Sequence, residues 1–431
     1  MKHLNLKNAI VSALLVITGN GNAQDFRGAY KKSDGKTLTM VPLPETKNLR
    51  MVEYETGERF TLTPTNNLSF STEGKEKSIF EFKPENDSTY ILSVVKGQSK
   101  WTAKKIPLRE KFITFSSGEI SLYGKLVLPT KVGKYPIVVI AHGSDNDSAV
   151  EGYDEPYLFA SQGIACFIYD KRGTGKSGGE AILSFELLSS DLVAAVNTVS
   201  LESEIDKNKI GLSGYSQGGW IAPLAASKSS LVKFVVVNYG MTMSIAQEDW
   251  NEAPLKLADR GVTDRKSLEE FNEVNTVLHR EVKEDFKEGW YDRLESKINQ
   301  YKGRPWMDSL KKIPTTWMGS LLNMEKEQVI QFVPPMMRTI QPFYNPITTL
   351  KKLNIPMLWL VAGDDIEAPP QITIKTIKEL QKERKPFELK IYLQADHGML
   401  LFEKQGNKRV YTKYADSYFT DVVSWIQLKT R

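Results

Sequence analysis

Between Lys209 and Ala222 the chain reads Lys-Ile-Gly-Leu-Ser-Gly-Tyr-Ser-Gln-Gly-Gly-Trp-Ile-Ala. An apolar run, Ile210 to Ser213, predicts a buried strand, and Gly214-Tyr215-Ser216-Gln217-Gly218 predicts a sharp turn out of it. Small residues at Ala222, Ala225 and Ala226 then suit the packed face of a helix. A strand that turns this tightly into a helix demands a layered α/β architecture. It also leaves Ser216 at the tip of the turn, where a base can reach the hydroxyl and backbone N–H groups can hold an oxyanion. Glycines at 214 and 218 supply the space such a turn needs.

Gly175-Lys176-Ser177-Gly178-Gly179 fits the same five-residue pattern. Its serine is separated from the preceding apolar run by Lys171 to Thr174, so it fails the strand–turn–helix test that Ser216 passes. Gly175-Lys176-Ser177 also looks like the end of a phosphate-binding loop, but the first glycine would fall at 170, which is Asp. Pro223 should remove a hydrogen bond in the second turn of the helix after Ser216 and bend it, with Gly219 lessening the clash.

The residues before this core divide in two. Met1 to Asn8 is basic and is followed by the apolar run Ala9 to Ile17 and by Gly21-Asn22-Ala23. This is the pattern of a secretory leader over 1–23, cut before Gln24, and the apolar run is too short to span a bilayer. The mature chain is expected to be periplasmic or secreted, with no integral membrane span. Formal net charge is +5; Lys2 and Lys7 carry two of those charges, leaving +3, which implies no nucleic-acid or anionic-membrane partner. The one cysteine, Cys166, excludes an internal disulfide, and the four histidines have no zinc-type spacing. No cofactor is expected.

Residues 24–106 alternate short β-rich runs (Thr37 to Val41, Arg59 to Thr63, Ser78 to Phe82, Thr89 to Val95) with turn clusters, which predicts a small all-β domain suited to packing or subunit contacts. From 107 the pattern becomes a hairpin (Phe112 to Pro129) and then alternating strands and helices. Strands are expected at Pro136 to Ala141, Ile164 to Tyr169, Ile210 to Ser213, Phe234 to Tyr239, Ile355 to Ala362 and Phe387 to Leu393. Helices are expected at Phe185 to Leu201, Thr373 to Lys385 and Tyr414 to Gln427. That rhythm predicts a parallel sheet with helices on both faces. Residues 241–346 interrupt it with Trp250, Trp290, Trp306 and Trp317 and with helically spaced Leu268, Phe271, Val274, Leu278 and Val282, predicting an inserted helical cap.

A serine nucleophile needs a histidine base and an acid to orient it. Downstream of Ser216, His279 lies in a charged helix and reads as a solvated surface histidine, whereas His397 follows the last strand in Gln394-Ala-Asp-His-Gly398 and suits the base. Asp364, Asp365 and Glu367 follow the strand ending at Ala362; Asp365 is favoured because it stands four residues ahead of Pro369. The oxyanion donors are expected at the N–H groups of Gln217 and of Ser144 in His142-Gly143-Ser144-Asp145, with His142 shaping that loop.

Taken in order, His142-Gly143-Ser144, Asp170-x-Arg172-Gly173-x-Gly175-x-Ser177, Gly214-Tyr-Ser-Gln-Gly218, Gly363-x-Asp365 and Asp396-His397-Gly398 resemble the α/β-hydrolases, most closely the bacterial exported esterase and serine-aminopeptidase-like branch, over 111–431. The resemblance implies Ser216, Asp365 and His397 as catalytic triad, Ser144 and Gln217 as oxyanion donors, and Asp170 and Arg172 as loop braces. Asp145, where relatives often carry glycine, and Ala368-Pro369 depart from the pattern. The partner implied is a small ester, or alternatively a short peptide whose ammonium would need acidic cap residues. Glu248, Asp249 and Glu252 are candidates, although their mixed-charge surroundings favour a surface helix.

Overall fold

The structure, a computed structural model, describes residues 26–431 except 45, 74–76, 86–89 and 407. The expected leader and its cleavage point lie outside the described residues.

From Gly28 to Lys105 eight antiparallel strands form a closed barrel, the first (Gly28–Lys32) pairing with the last (Ser99–Lys105). In the strand Ser78–Pro84, Ser78, Phe80 and Phe82 point inward and Ile79, Glu81 and Lys83 outward, the period-2 pattern of a filled barrel. Phe26 stacks on Phe82 inside it at 3.9 Å between ring centroids. Four of these strands have no counterpart in the sequence expectation: Gly28–Lys32, Leu49–Glu53, Ser69–Ser71 and Ser99–Lys105 are short or carry charged outer faces. The barrel is fastened to the rest of the chain by Arg50, whose Nη2 donates to the Gly152 carbonyl at 2.7 Å and to Asp154 Oδ1 at 2.5 Å. Val52 and Tyr54 share a core with Phe419 and Val422.

The central sheet consists of β1 (Leu108–Ser117), β2 (Ile120–Pro129), β3 (Tyr135–Ala141), β4 (Ala165–Tyr169), β5 (Ile205–Tyr215), β6 (Val232–Asn238), β7 (Met357–Ala362) and β8 (Phe387–Tyr392), in the spatial order 8-7-6-5-3-4-2-1. β2 runs antiparallel to both β1 and β4, and from β4 through β3 to β8 the pairing is parallel. Successive residues of β3 face opposite cores. Ile137 and Val139 meet α1 (Phe185–Val199) and α2 (Gly218–Lys228); Val138 and Ile140 face the side covered by the C-terminal helix. Both faces are therefore buried, which is why the strands read as continuous apolar runs. The chain has the α/β-hydrolase fold, preceded by the barrel.

Between β6 and β7 stands the helical cap, led by α3 (Ile245–Asp259) and α4 (Arg265–Lys283). Phe271, Val274, Leu278 and Val282 of α4 pack with Trp290, Trp306 and Trp317 in a core of the cap's own. Each such buried side chain contributes roughly 1.5–3 kcal/mol, so the cap is held by its own core as well as by its seat on the sheet.

The elbow strand β5 spans Ile205–Tyr215 rather than Ile210 to Ser213, and two helices start three or more residues from expectation. α5 spans Pro370–Lys382 rather than Thr373 to Lys385, because Pro370 starts a helix readily at its first position. The last helix, α6, spans Tyr418–Lys429, and the residues before it form a hairpin, β9 (Leu400–Gln405) with β10 (Lys408–Tyr414). Tyr414, expected to open that helix, ends a strand instead.

Candidate active site

The elbow is a place where only glycine fits on either side of the serine. A Cβ at Gly214 would lie 2.2 Å from the Gly218 carbonyl oxygen, and one at Gly218 would lie 1.9 Å from that of Ala141. Ser216 itself takes φ 52°, the left-handed region that non-glycine residues occupy at a cost. Its N–H donates to Asn238 O at 3.1 Å. Asn238 is fully buried, bonded through Nδ2 to Ser213 Oγ at 3.0 Å and through Oδ1 to the Tyr418 hydroxyl at 2.9 Å, so the ends of β5 and β6 and α6 are locked together beneath the serine. α2 starts directly afterwards and continues as one helix through Pro223.

The loops after β7 and β8 bring two more side chains to this point. His397 Nε2 stands 3.0 Å from Ser216 Oγ, and its Nδ1 stands 2.8 Å from Asp365 Oδ2. The other Asp365 oxygen accepts the N–H groups of Glu367 at 2.9 Å and Ala368 at 2.7 Å, which fixes the carboxylate with both oxygens engaged. Asp364 is exposed and turned away; its N–H donates to Ala395 O and its carbonyl accepts from Arg409. Glu367 Oε1 lies 3.7 Å from His397 Nε2. Burial by itself would push the His397 imidazole down, but Asp365 and Glu367 outweigh it and hold the imidazolium well above its ordinary range. The edge of Tyr239 meets the ring at 4.9 Å between centroids.

His142 and Gly143 carry the loop after β3 past the serine, and Ser144 lines the space under the cap. The N–H groups of Ser144 and Gln217 have no acceptor among the described residues. Asp145, at the position of departure from the pattern, accepts from the Tyr153 hydroxyl through Oδ2 at 3.1 Å. Lys171 Nζ donates both to the Gly143 carbonyl and to Gln217 Oε1, a link with no sequence signal beyond a lysine two residues past a buried strand. His142 is buried against Tyr153.

Ser177 is engaged in structure. Its Oγ donates to Asp170 O at 2.6 Å and accepts the Tyr123 N–H at 2.9 Å. Asp170 gathers Ser148 Oγ and the N–H groups of Val150 and Lys176 around its carboxylate, and Arg172 forms a two-bond pair with buried Asp191 at 2.6 and 2.7 Å. Both residues brace the loop after β4.

The three candidate carboxylates do not lie on an exposed helix face: Asp249 and Glu252 are buried and Glu248 is half-buried. A cavity of about 50 Å³ beside Ser144 is lined by Glu248, Asp249, Glu252, Trp317 and Glu367, and a larger one of about 240 Å³ opens beside His397 between the cap and Tyr411. Asp249 Oδ1 accepts the Trp317 N–H at 2.7 Å, and its Oδ2 lies 2.9 Å from His279 Nε2. His279 is therefore a partly buried cap residue stacked on Trp317, not a solvated one. Glu252 pairs with Lys256 at 2.7 Å. The Glu248 carboxylate has no hydrogen-bonded partner among the described residues, while its N–H donates to Ser244 O at 2.9 Å. Arg409, on the unanticipated hairpin, ties the cap to the histidine loop through Asp259 at 3.2 Å and Asp396 at 2.7 Å.

Residues 134–405 match the family described as serine aminopeptidase, S33. Similar proteins include an uncharacterized 31.7 kDa protein from the traX-finO intergenic region of Escherichia coli, 24% identical over 243 residues that cover 55% of this chain and 75% of that one. Uncharacterized protein PA2218 of Pseudomonas aeruginosa is 27% identical over 186 residues, 42% of this chain and 47% of its own length. Among solved structures, an acetyl xylan esterase from Paenibacillus sp. R4 aligns with a TM-score of 0.44 and 17% identity over 82% of this chain and 89% of the esterase.

Proposed function

The chain belongs to the serine aminopeptidase family S33 of the α/β-hydrolases, and from that premise we propose that it hydrolyses short-chain carboxylic esters through an acyl-enzyme on Ser216. The observation that carries the proposal is His397 standing within hydrogen-bond distance of Ser216 on one nitrogen and Asp365 on the other. Ser216 Oγ attacks the ester carbonyl while His397 Nε2 takes its proton, and the oxyanion is held by the N–H groups of Ser144 and Gln217. Collapse breaks the C–O bond, and His397 returns the proton to the departing alkoxide. Water, deprotonated by the same nitrogen, then attacks the acyl carbonyl; the acyl–Oγ bond breaks, His397 returns the proton to Ser216 Oγ, and the carboxylic acid leaves.

A second reading, cleavage of the N-terminal residue from a short peptide, is favoured by the acidic cavity, since an ammonium requires carboxylates beside the nucleophile. Against it, three of the four cavity carboxylates are engaged: Asp249 by Trp317 and His279, Glu252 by Lys256, and Glu367 by His397, which leaves only the Glu248 carboxylate without a hydrogen bond among the described residues. An ester also has the better leaving group. The test is p-nitrophenyl acetate and butyrate against aminoacyl and X-Pro p-nitroanilides, with Ser216→Ala as blank. Turnover of the anilides at a kcat/KM equal to or above that of the esters overturns the ester reading. A protein that only binds on this scaffold would fail to take a fluorophosphonate label at all. The leader-like first 23 residues support export; a purified periplasmic form retaining Met1 would exclude cleavage.

A further inference from the structure

We propose that Lys171 is a positioning residue that holds both arms of the oxyanion site with one ammonium group. The proposal rests on the assignment of the Ser144 and Gln217 N–H groups to that site. Lys171 follows β4, is 7% exposed, and donates from Nζ to the Gly143 carbonyl and to Gln217 Oε1, the latter at 2.8 Å. The Gly143 carbonyl and the Ser144 N–H belong to one peptide group. That group is planar, and no cis bond occurs among the described residues, so anchoring the carbonyl sends the Ser144 N–H the opposite way and fixes its direction. A cation on the carbonyl oxygen also withdraws electron density from the peptide nitrogen and makes its N–H the stronger donor. The second bond ties the side chain of Gln217, whose own N–H is the other donor, to the same point. Two segments far apart in sequence, the loop after β3 and the start of α2, are thereby set at one separation.

A buried lysine is a costly way to join two neutral acceptors. Among the described residues no carboxylate lies within ion-pair distance of Nζ, and burial pushes the ammonium down to about 8, with the nearby Asp145 opposing. The groups facing it are His142 and Asp145 from the loop after β3, with Tyr153 beyond Asp145, and the neutral Gln217 amide from α2. A glutamine or a methionine would fill the space without the desolvation cost, so a charge here is what a positioning and polarising role explains.

The test compares wild type with Lys171→Met and Lys171→Arg in the full chain, using p-nitrophenyl butyrate from pH 6 to 10. Loss of a whole oxyanion donor costs about 10²–10³ in kcat; loosening and depolarising both should lower kcat by roughly 10–100-fold in Lys171→Met while KM stays within about threefold. His397, common to both enzymes, makes kcat rise with pH, so the readout is the ratio of Lys171→Arg to wild-type kcat: it should increase as pH passes through about 8, where Lys171 loses its charge and the arginine does not. This comparison stands even if the methionine variant does not fold. A ratio that stays flat from pH 6 to 10, or a folded Lys171→Met with wild-type kcat, would each overturn the proposal. Ser216→Ala that retains turnover would instead overturn the reading on which it rests.

Discussion

Replacing Asp365 by asparagine changes one oxygen for an amide nitrogen in a site where every atom is already engaged. Oδ1 accepts two N–H groups, from Glu367 and Ala368, and Oδ2 faces His397 Nδ1. The asparagine can keep its oxygen on the two N–H groups and turn its NH₂ toward His397. Alternatively it can flip and set the NH₂ against two buried donors, which strands both at about 1–3 kcal/mol each. The first orientation wins. Facing a donor, Nδ1 must become the acceptor, the proton moves to Nε2, and the nitrogen next to Ser216 can no longer take one. Loss of this base costs on the order of 10⁴ in kcat, or about 5 kcal/mol of transition-state stabilisation. Asp364→Asn, on an exposed side chain that does not reach the ring, should change kcat by less than about twofold. Both are read as kcat on p-nitrophenyl butyrate, with active-site titration by a fluorophosphonate to correct for folded fraction. An Asp365→Asn enzyme within tenfold of wild type, or equal losses in the two variants, refutes the tautomer argument.

Glu367→Gln removes a carboxylate that favours the protonated form of His397, so the imidazole becomes neutral at lower pH and the acid limb of kcat/KM should move down; a shift upward would contradict the electrostatics. Gly218→Ala drives a methyl into the Ala141 carbonyl oxygen and should destabilise the fold by more than about 3 kcal/mol in urea titration, while Gly133→Ala, with open space at the same position, should be near neutral. Arg172→Ala leaves the Asp191 carboxylate, 0% exposed, without its partner and should cost about 3–5 kcal/mol, largely recovered when Asp191→Leu is added to Arg172→Met.

The parts of this molecule readable in advance are those where one residue's chemistry forces the backbone. Glycines at 214 and 218 and an apolar run before them announce the elbow, because no other residue fits beside the Ala141 and Gly218 carbonyls. Strands buried on both faces announce the sheet by their unbroken apolar runs. The barrel is only half readable, since short strands with charged outer faces resemble loops until their partners close the ring. The β9–β10 hairpin escapes for a similar reason: Leu400 to Tyr414 carries one turn signal, Gly406-Asn407, between a run that is apolar only over its first three residues, Leu400 to Gln405, and one rich in lysine and tyrosine, Lys408 to Tyr414. What pattern alone does not give is which charges neutralise which.

That pairing decides the chemistry of the site. Glu248 and Asp249 share one turn of α3 and Glu252 stands on the next, and in sequence they are equivalent carboxylates among basic neighbours. In three dimensions Asp249 anchors the start of a later cap helix, Trp317–Leu321, through the Trp317 backbone N–H, and Glu252 is neutralised by Lys256, itself bonded to Thr315 at 3.1 Å. Glu248 and Glu367 stand on the cavity wall, from the cap and from the acid loop. A substrate cation seated between them would lie on the side of His397 away from Asp365, and would reduce the same field that holds the imidazolium above its ordinary range. Binding such a substrate would thus lower the His397 pKa and make it a neutral base at lower pH than in the free enzyme. A neutral acyl group in the same cavity leaves that field intact. The difference between the acid limbs of kcat/KM and kcat is therefore a signature of what occupies the cavity: a downward shift in kcat for aminoacyl substrates, and coincident limbs for butyrate esters. Coincident limbs for both classes would show that Glu248 and Glu367 do not meet the substrate.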